Sequence, residues 1–223
     1  RWFAINKLNE ILSEKTLNSD LFINSLTHRS ASSNNNERLE FLGDAVLGLV
    51  IANHLYSSFK NDQEGILSRK RSHLVKKDTL FRIAKKLSLS DLINIGEGEK
   101  KSGGKNSSSI LSDALDAIIG VVFLIDGYDA AKEFILKVYQ EELENIPDDE
   151  ELKDSKTKLQ EFLQGKGFNL PKYETKEVLI EKDLHFETTC HVKELKIEEK
   201  GVGKNKRLSQ QTAASKVLNN INK

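Results

Sequence analysis

The sequence predicts an all-α domain followed by a small α+β domain of order α-β-β-β-α. Three observations carry this. Apolar residues keep helical spacing up to about position 145 and switch to strand-like alternation after it. The segment Asn145–Glu151 (NIPDDEE) holds one of only two prolines and has the composition of a joint. Charge is also unevenly distributed: residues 1–147 carry 19 Lys+Arg against 20 Asp+Glu, whereas residues 154–223 carry 14 against 10. We therefore expect domains at 1–147 and 154–223, separated by an acidic linker at 148–153. At 223 residues the chain has room for both.

In the first part the spacing predicts helices at 2–14, 19–26, 36–58, 63–71, 75–87, 107–126 and 128–143. The Gly-rich stretch Gly96–Lys105 reads as a loop. In the second part Lys156–Gln164 is helical, Tyr173–Ile180, Phe186–Val192 and Glu194–Glu199 alternate like strands, and Arg207–Asn220 returns to helix. The uninterrupted apolar runs, Ala45–Ala52 and Ala117–Ile125, are shorter than the roughly 20 residues of a membrane span, so no membrane partner is expected. The N-terminal residues show no basic-then-apolar leader. A single cysteine, Cys190, excludes an internal disulfide framework and a cysteine-based zinc site, and fits a reducing, cytoplasmic setting.

Two acidic stripes lie inside apolar helices. Glu37, Glu40 and Asp44 are spaced i, i+3, i+7 and fall within about 60° of one helix face. From Phe41 to Ala52, Asp44 is the only charge. Asp113 and Asp116 are the only charges in Ile110–Leu124 (ILSDALDAIIGVVFL) and share a face. An unpaired buried carboxylate costs several kcal/mol or takes up a proton. Two apolar helices with acidic stripes pack most simply on each other, which gathers Glu40, Asp44, Asp113 and Asp116. Such a group needs a cation. Either Arg38, Arg69 or Arg71 pairs with it in an architectural network, or a hard divalent ion sits in it. Oxygen donors without His or Cys favour Mg²⁺ or Mn²⁺ over Zn²⁺.

Residues 36–47 (NERLEFLGDAVL) resemble the signature of the ribonuclease III family. Leu26–Ser30 (LTHRS), Glu64–Val75 (EGILSRKRSHLV) and Ser109–Gly120 (SILSDALDAIIG) resemble three further blocks of that family, in the same order. The resemblance implies an all-helical endonuclease domain that forms a homodimer around a groove for duplex RNA. It implies that Glu40, Asp44, Asp113 and Asp116 hold Mg²⁺, with Mn²⁺ as a substitute. Asp44 and Asp116 match the positions usually called catalytic, and Glu37 and Glu64 match two acidic positions lining the groove. The chain departs from the pattern at Asp116, where the family nearly always has Glu. Aspartate is one methylene shorter, which sets its carboxylate about 1–1.5 Å back. That departure supports an alternative reading, a duplex-RNA-binding protein with weakened cleavage.

Asp154–Gln164 (DSKTKLQEFLQ) and Gly201–Ala214 (GVGKNKRLSQQTAA) resemble the first helix and the glycine-lysine loop of a double-stranded RNA-binding domain. Lys204, Lys206 and Arg207 lie at a helix start, where backbone N–H groups also favour anions. They are candidates for phosphate contacts across the RNA major groove. Thr157, Gln160 and Glu161 are candidates for 2′-hydroxyl contacts in the shallow minor groove. Lys182 or His185, between the first two strands, is a candidate for a second minor-groove contact. The expected activity is Mg²⁺-dependent cleavage of duplex RNA to 5′-phosphate and 3′-hydroxyl ends with short 3′ overhangs. The expected role is processing of ribosomal precursor, messenger and other structured RNA.

Overall fold

A computed structural model describes residues 7–221. The chain forms two compact units, Arg1–Pro147 and Asp148–Lys223. The first is all-helical: α1 (Glu14–Leu17), α2 (Asp20–Ser25), α3 (Glu37–Ser58), α4 (Glu64–Leu74), α5 (Lys77–Lys86), α6 (Glu97–Lys101), α7 (Ser108–Val138) and α8 (Gln140–Glu144). The second contains α9 (Asp149–Leu152), α10 (Ser155–Gly165), β1 (Lys172–Ile180), β2 (Asp183–Val192), β3 (Ile197–Gly203) and α11 (Lys206–Ile221). This is the all-α then α+β order expected from the sequence.

In the first unit α3 and α7 form the centre. Their buried faces include Leu47, Val50 and Ile51 from α3 and Leu111, Leu115 and Ile118 from α7, each 1% exposed or less. By length and apolarity both helices resemble membrane spans, and 67% of the apolar window of α7 is buried inside the fold. That apolarity belongs to a pair of core helices. α7 is broken at Gly127, whose φ of 87° and ψ of −177° interrupt the helix. This separates the two helices expected at 107–126 and 128–143.

Several sequence expectations change. Of the helix expected at 2–14, residues 2–6 lie outside the described residues, and the chain turns at 10–13. Ser13 ends that helical spacing by capping α1, its Oγ accepting from Thr16 N–H at 3.0 Å. The Gly-rich stretch is not all loop: it folds into α6 and a 3-10 turn at Gly104–Asn106. The third strand is displaced towards the C-terminus. Lys193–Lys196 form the β2–β3 turn, with Lys196 at φ 54°, and the strand runs on to Gly203.

The second unit is a three-stranded antiparallel sheet of order β1-β2-β3, with α10 and α11 on one face. Leu159, Leu163, Cys190, Val192, Ala213, Ala214 and Val217 make its core. A Cβ on Gly201 would stand 2.2 Å from Ala213 N, and one on Gly203 would stand 2.5 Å from Ser209 N. Only glycine lets β3 lie that close under α11. The acidic segment expected as a linker holds α9, and Lys153 pairs there with Glu150 at 2.9 Å and with Glu161 of α10 at 2.6 Å.

Candidate functional site

The acidic site grows from the crossing of α3 and α7. A Cβ on Gly43 would meet the Asp116 carbonyl oxygen at 1.7 Å, and one on Gly120 would meet the Leu39 carbonyl oxygen at 2.5 Å. The two backbones therefore touch, and the acidic stripes face a common region. The sequence reading missed both glycines. Their signal was a helix-weakening residue beside each acidic stripe, Gly43 next to Asp44 and Gly120 one turn after Asp116, which is a mark of close backbone approach.

Burial differs among the four acids. Asp116 is 7% exposed. Glu40 and Asp113 are partly buried, and Asp44 is exposed. Burial, reinforced by the charges of Asp44, Glu40 and Asp113, pushes the Asp116 carboxyl up to about 8. Burial also raises Glu40, helped by Asp113, Glu37 and Asp44 and opposed by Lys77. Asp113 is raised by burial and opposed by Lys77 and by the hydroxyls of Ser112 and Ser109. The structure thus brings Glu40, Asp44, Asp113 and Asp116 within electrostatic reach of one another. Of the arginines considered as partners, Arg38 lines a cavity with Phe41 and Leu124, and Arg71 lines one with Glu64.

Among the described residues, no group of three or more His, Cys, Asp or Glu side chains closes on a single metal position. The donor set nonetheless suits a hard divalent cation, being all carboxylate oxygen. Asp116 Oδ1 is buried without a hydrogen-bond partner. A cation among the four would compensate that oxygen and relieve the repulsion. The residues fit Mg²⁺ in these two respects.

Beside the acids opens a cavity of about 490 Å³, lined by His28, Arg29, Asn36, Glu37, Glu40 and Asp113 among others. Short backbone bonds fix its wall: His28 N–H donates to Asn94 O at 2.9 Å, and Asn36 N–H donates to Thr27 O at 3.0 Å. Ser30 Oγ accepts from Gly96 N–H at 2.9 Å. Glu37 lines this cavity and lies 3.4 Å from Arg29 Nη1. Glu64 does not join the group. It sits at the start of α4, accepts from Ser68 Oγ at 2.8 Å and lines a different cavity with Tyr56 and Arg71. Its spacing along the chain carried no information about that separation.

In the second unit, Lys204, Lys206 and Arg207 are all exposed at the start of α11. Asn205 caps that helix, its Oδ1 accepting from Leu208 N–H at 2.8 Å. A buried chain of hydroxyls anchors the same turn to the sheet. Thr175 Oγ1 and Thr188 Oγ1 are 2.7 Å apart, and so are Thr188 Oγ1 and Ser209 Oγ. Ser209 also donates to Lys206 O at 3.0 Å. Thr157 and Gln160 lie on α10, and the carboxylate of Glu161 is held by Lys153. Lys182 sits in the β1–β2 turn at φ 77°, and His185 is the third residue of β2, with Nδ1 3.2 Å from Asp183 O.

Comparison with known proteins matches this division. Residues 18–143 match the Ribonuclease-III-like family model, and residues 155–221 match the double-stranded RNA binding motif. A "Ribonuclease 3" of Variovorax paradoxus is 44% identical over 216 residues, covering 96% of this chain and 95% of its own length. One from Histophilus somni is 43% identical over 220 residues, covering 97% and 98%. The crystal structure of the nuclease domain of ribonuclease III from Campylobacter jejuni is 44% identical. It superposes with a TM-score of 0.59, covering 64% of this chain and 98% of that domain. A second structure of that domain, described for structural flexibility in its region involved in dimer formation, gives 0.60 over 63% of this chain and 99% of its own.

Proposed function

The chain belongs to the ribonuclease III family, an endoribonuclease with a double-stranded RNA-binding motif, and we propose that it hydrolyses duplex RNA with the help of Mg²⁺ held by Glu40, Asp44, Asp113 and Asp116. Mn²⁺ would substitute. The products are 5′-phosphate and 3′-hydroxyl ends with short 3′ overhangs, made during processing of ribosomal precursor, messenger and other structured RNA. The observation that carries this reading is the meeting of the two acidic stripes at Gly43 and Asp116.

Two divalent ions, when bound, supply activation of the attacking water and stabilisation of the leaving oxygen. The chain's own residues do the rest. The four carboxylates fix where positive charge sits against the scissile phosphate. Glu37, Arg29 and His28 line the adjoining cavity, where a backbone strand would lie. Water attacks phosphorus and the bond to the 3′ oxygen breaks. The 2′-hydroxyl is not the nucleophile, so no histidine base is required. Lys204, Lys206 and Arg207 bind phosphates of both strands, which favours A-form duplex without reading sequence.

The active form is a homodimer through the helical unit. The support is an apolar stripe on the solvent side of α3. Phe41 is 81% exposed, Leu49 58% and Tyr56 74%. With Ala45 they span about 80° of the helix surface. An unpartnered apolar face of this kind marks an interaction surface. Glu64 lies beside Tyr56, so pairing along this stripe carries it to the seam between protomers.

The test is cleavage of a long RNA duplex with analysis of the ends. Mg²⁺-dependent product with 5′-phosphate and 3′-hydroxyl ends supports the reading. Cyclic phosphate ends, or cleavage undiminished by a chelator, overturn it.

A further inference from the structure

The break in α7 brings the buried Tyr139 within range of the charge of Asp116. The helix breaks at Gly127 and its two ends come back together: Lys85 Nζ donates to Asn106 Oδ1 at 2.8 Å just before α7, and the adjacent Lys86 Nζ donates to Glu141 Oε2 at 2.7 Å just after it. The reversal is fastened. Asp126 accepts from Ser13 Oγ at 2.6 Å and from Thr16 Oγ1 at 2.7 Å, and Lys15 Nζ donates to Ile125 O at 3.0 Å. A helical hairpin sets level those residues that lie equally far from its bend. Asp116 is eleven residues before Gly127 and Tyr139 is twelve after it. At 1.5 Å per residue each arm is about 17 Å long, so the two stand at about the same height.

Tyr139 is 0% exposed, and its hydroxyl has no hydrogen-bond partner. Asp116 Oδ1 is in the same condition. A buried donor and a buried acceptor, each unsatisfied and at one level of the hairpin, are complementary. The charge of Asp116 is felt at Tyr139, where it adds to burial in raising the phenol, with a further contribution from Glu142. Glu142 is the rival acceptor, since its Oε2 is also buried and unpaired. It is already anchored, because its Oε1 accepts from Lys86 Nζ at 3.0 Å.

We propose that Tyr139 is a positioning residue for Asp116: its hydroxyl, directly or across one water, holds the inward carboxylate oxygen and turns the other towards Glu40, Asp44 and Asp113. The inference rests on reading those acids as metal ligands. It gives the short side chain at position 116 a fixed orientation that its own length does not supply.

Calorimetric titration of the full chain with Mn²⁺, without RNA, tests this. Tyr139→Phe is expected to fold and to weaken Mn²⁺ binding about tenfold, the size of effect that oriented outer groups have on metal sites. Its cleavage rate falls at limiting Mg²⁺, recovers at saturating Mg²⁺, and leaves KM for duplex RNA unchanged. In an Asp116→Asn background the Tyr139→Phe change has no further effect on Mn²⁺ affinity, because Tyr139 acts through Asp116. Unchanged Mn²⁺ affinity in folded Tyr139→Phe, or additive weakening in the double variant, overturns the proposal. Should Tyr139→Phe not fold, a Mn²⁺-soaked crystal of the wild-type chain decides. Tyr139 Oη bonded to Asp116, directly or through one water, supports it; Oη bonded to Glu142 alone overturns it. A wild-type chain that binds no Mn²⁺ instead removes the metal-site reading itself.

Discussion

Gly43 of α3 lies directly against the backbone of Asp116 in α7, where a Cβ would come within 1.7 Å of the Asp116 carbonyl oxygen. No side chain fits there without separating the helices that carry the four acids. Gly43→Ala is therefore expected to destabilise the helical unit by about 1–3 kcal/mol, the usual cost of overpacking. Cleavage at fixed Mg²⁺ should fall with it. At Gly48, in the same helix, an added Cβ would meet nothing within 4 Å. Gly48→Ala is expected to stabilise by about 0.5–1 kcal/mol. Urea unfolding of the two variants checks the contrast.

The metal-free protein should lose stability as pH rises. Asp116 ionises near 3.8 when unfolded and only at about 8 in the fold. Between those values the folded chain holds a proton that the unfolded chain has released. Stability then declines with increasing pH across that window. Glu40 and Asp113 shift in the same direction and add to the slope. In chelator, the wild type is expected to lose about 2–4 kcal/mol between pH 5 and 8. Asp116→Asn should flatten most of that slope. Equal slopes in the two proteins would contradict the burial of Asp116.

Phe41 is exposed enough to be replaced without disturbing its own fold. Phe41→Glu is expected to leave helicity intact while weakening self-association at least about tenfold, a change of 1.4 kcal/mol or more. Sedimentation velocity across a concentration series measures this. An unchanged dimer would move the interface away from α3.

The start of α11 should dominate the salt dependence of duplex binding. Replacing Lys204, Lys206 or Arg207 by Ala is expected to lower the slope of log K against log salt by about 1 for each phosphate left without its cation. Binding to duplexes of different sequence should weaken alike. Filter binding across a salt series distinguishes this from a loss of folding, which would abolish binding at every salt concentration.

The stripe of α7 was legible because a charge in a long apolar helix, such as the buried Asp116, demands a partner; Asp44, which the same reasoning set in the core, is exposed. The α-β-β-β-α order of the second unit was legible in its change of period. Closer detail was not. Glu194–Lys196 alternates like a strand, yet it forms a turn because Lys196 takes a left-handed conformation. Glu97–Lys101 is helical despite its glycine neighbours, a choice that depends on the tertiary setting of the segment. Glu64 stands in a polar stretch at a helix start, unlike the four acids, and only the family resemblance grouped it with them; the path of α4 sets it in another cavity. Tyr139 gave no signal, since the role proposed for it beside Asp116 depends on the return of the chain after Gly127.

Paired assays of wild type and Asp44→Asn on one long RNA duplex bear most directly on the role of the carboxylates. The variant should bind the duplex as tightly as wild type in Ca²⁺, yet release in Mg²⁺ no more product than wild type held in chelator. Undiminished Mg²⁺-dependent cleavage by Asp44→Asn would show that the acids of α3 and α7 are not the catalytic centre.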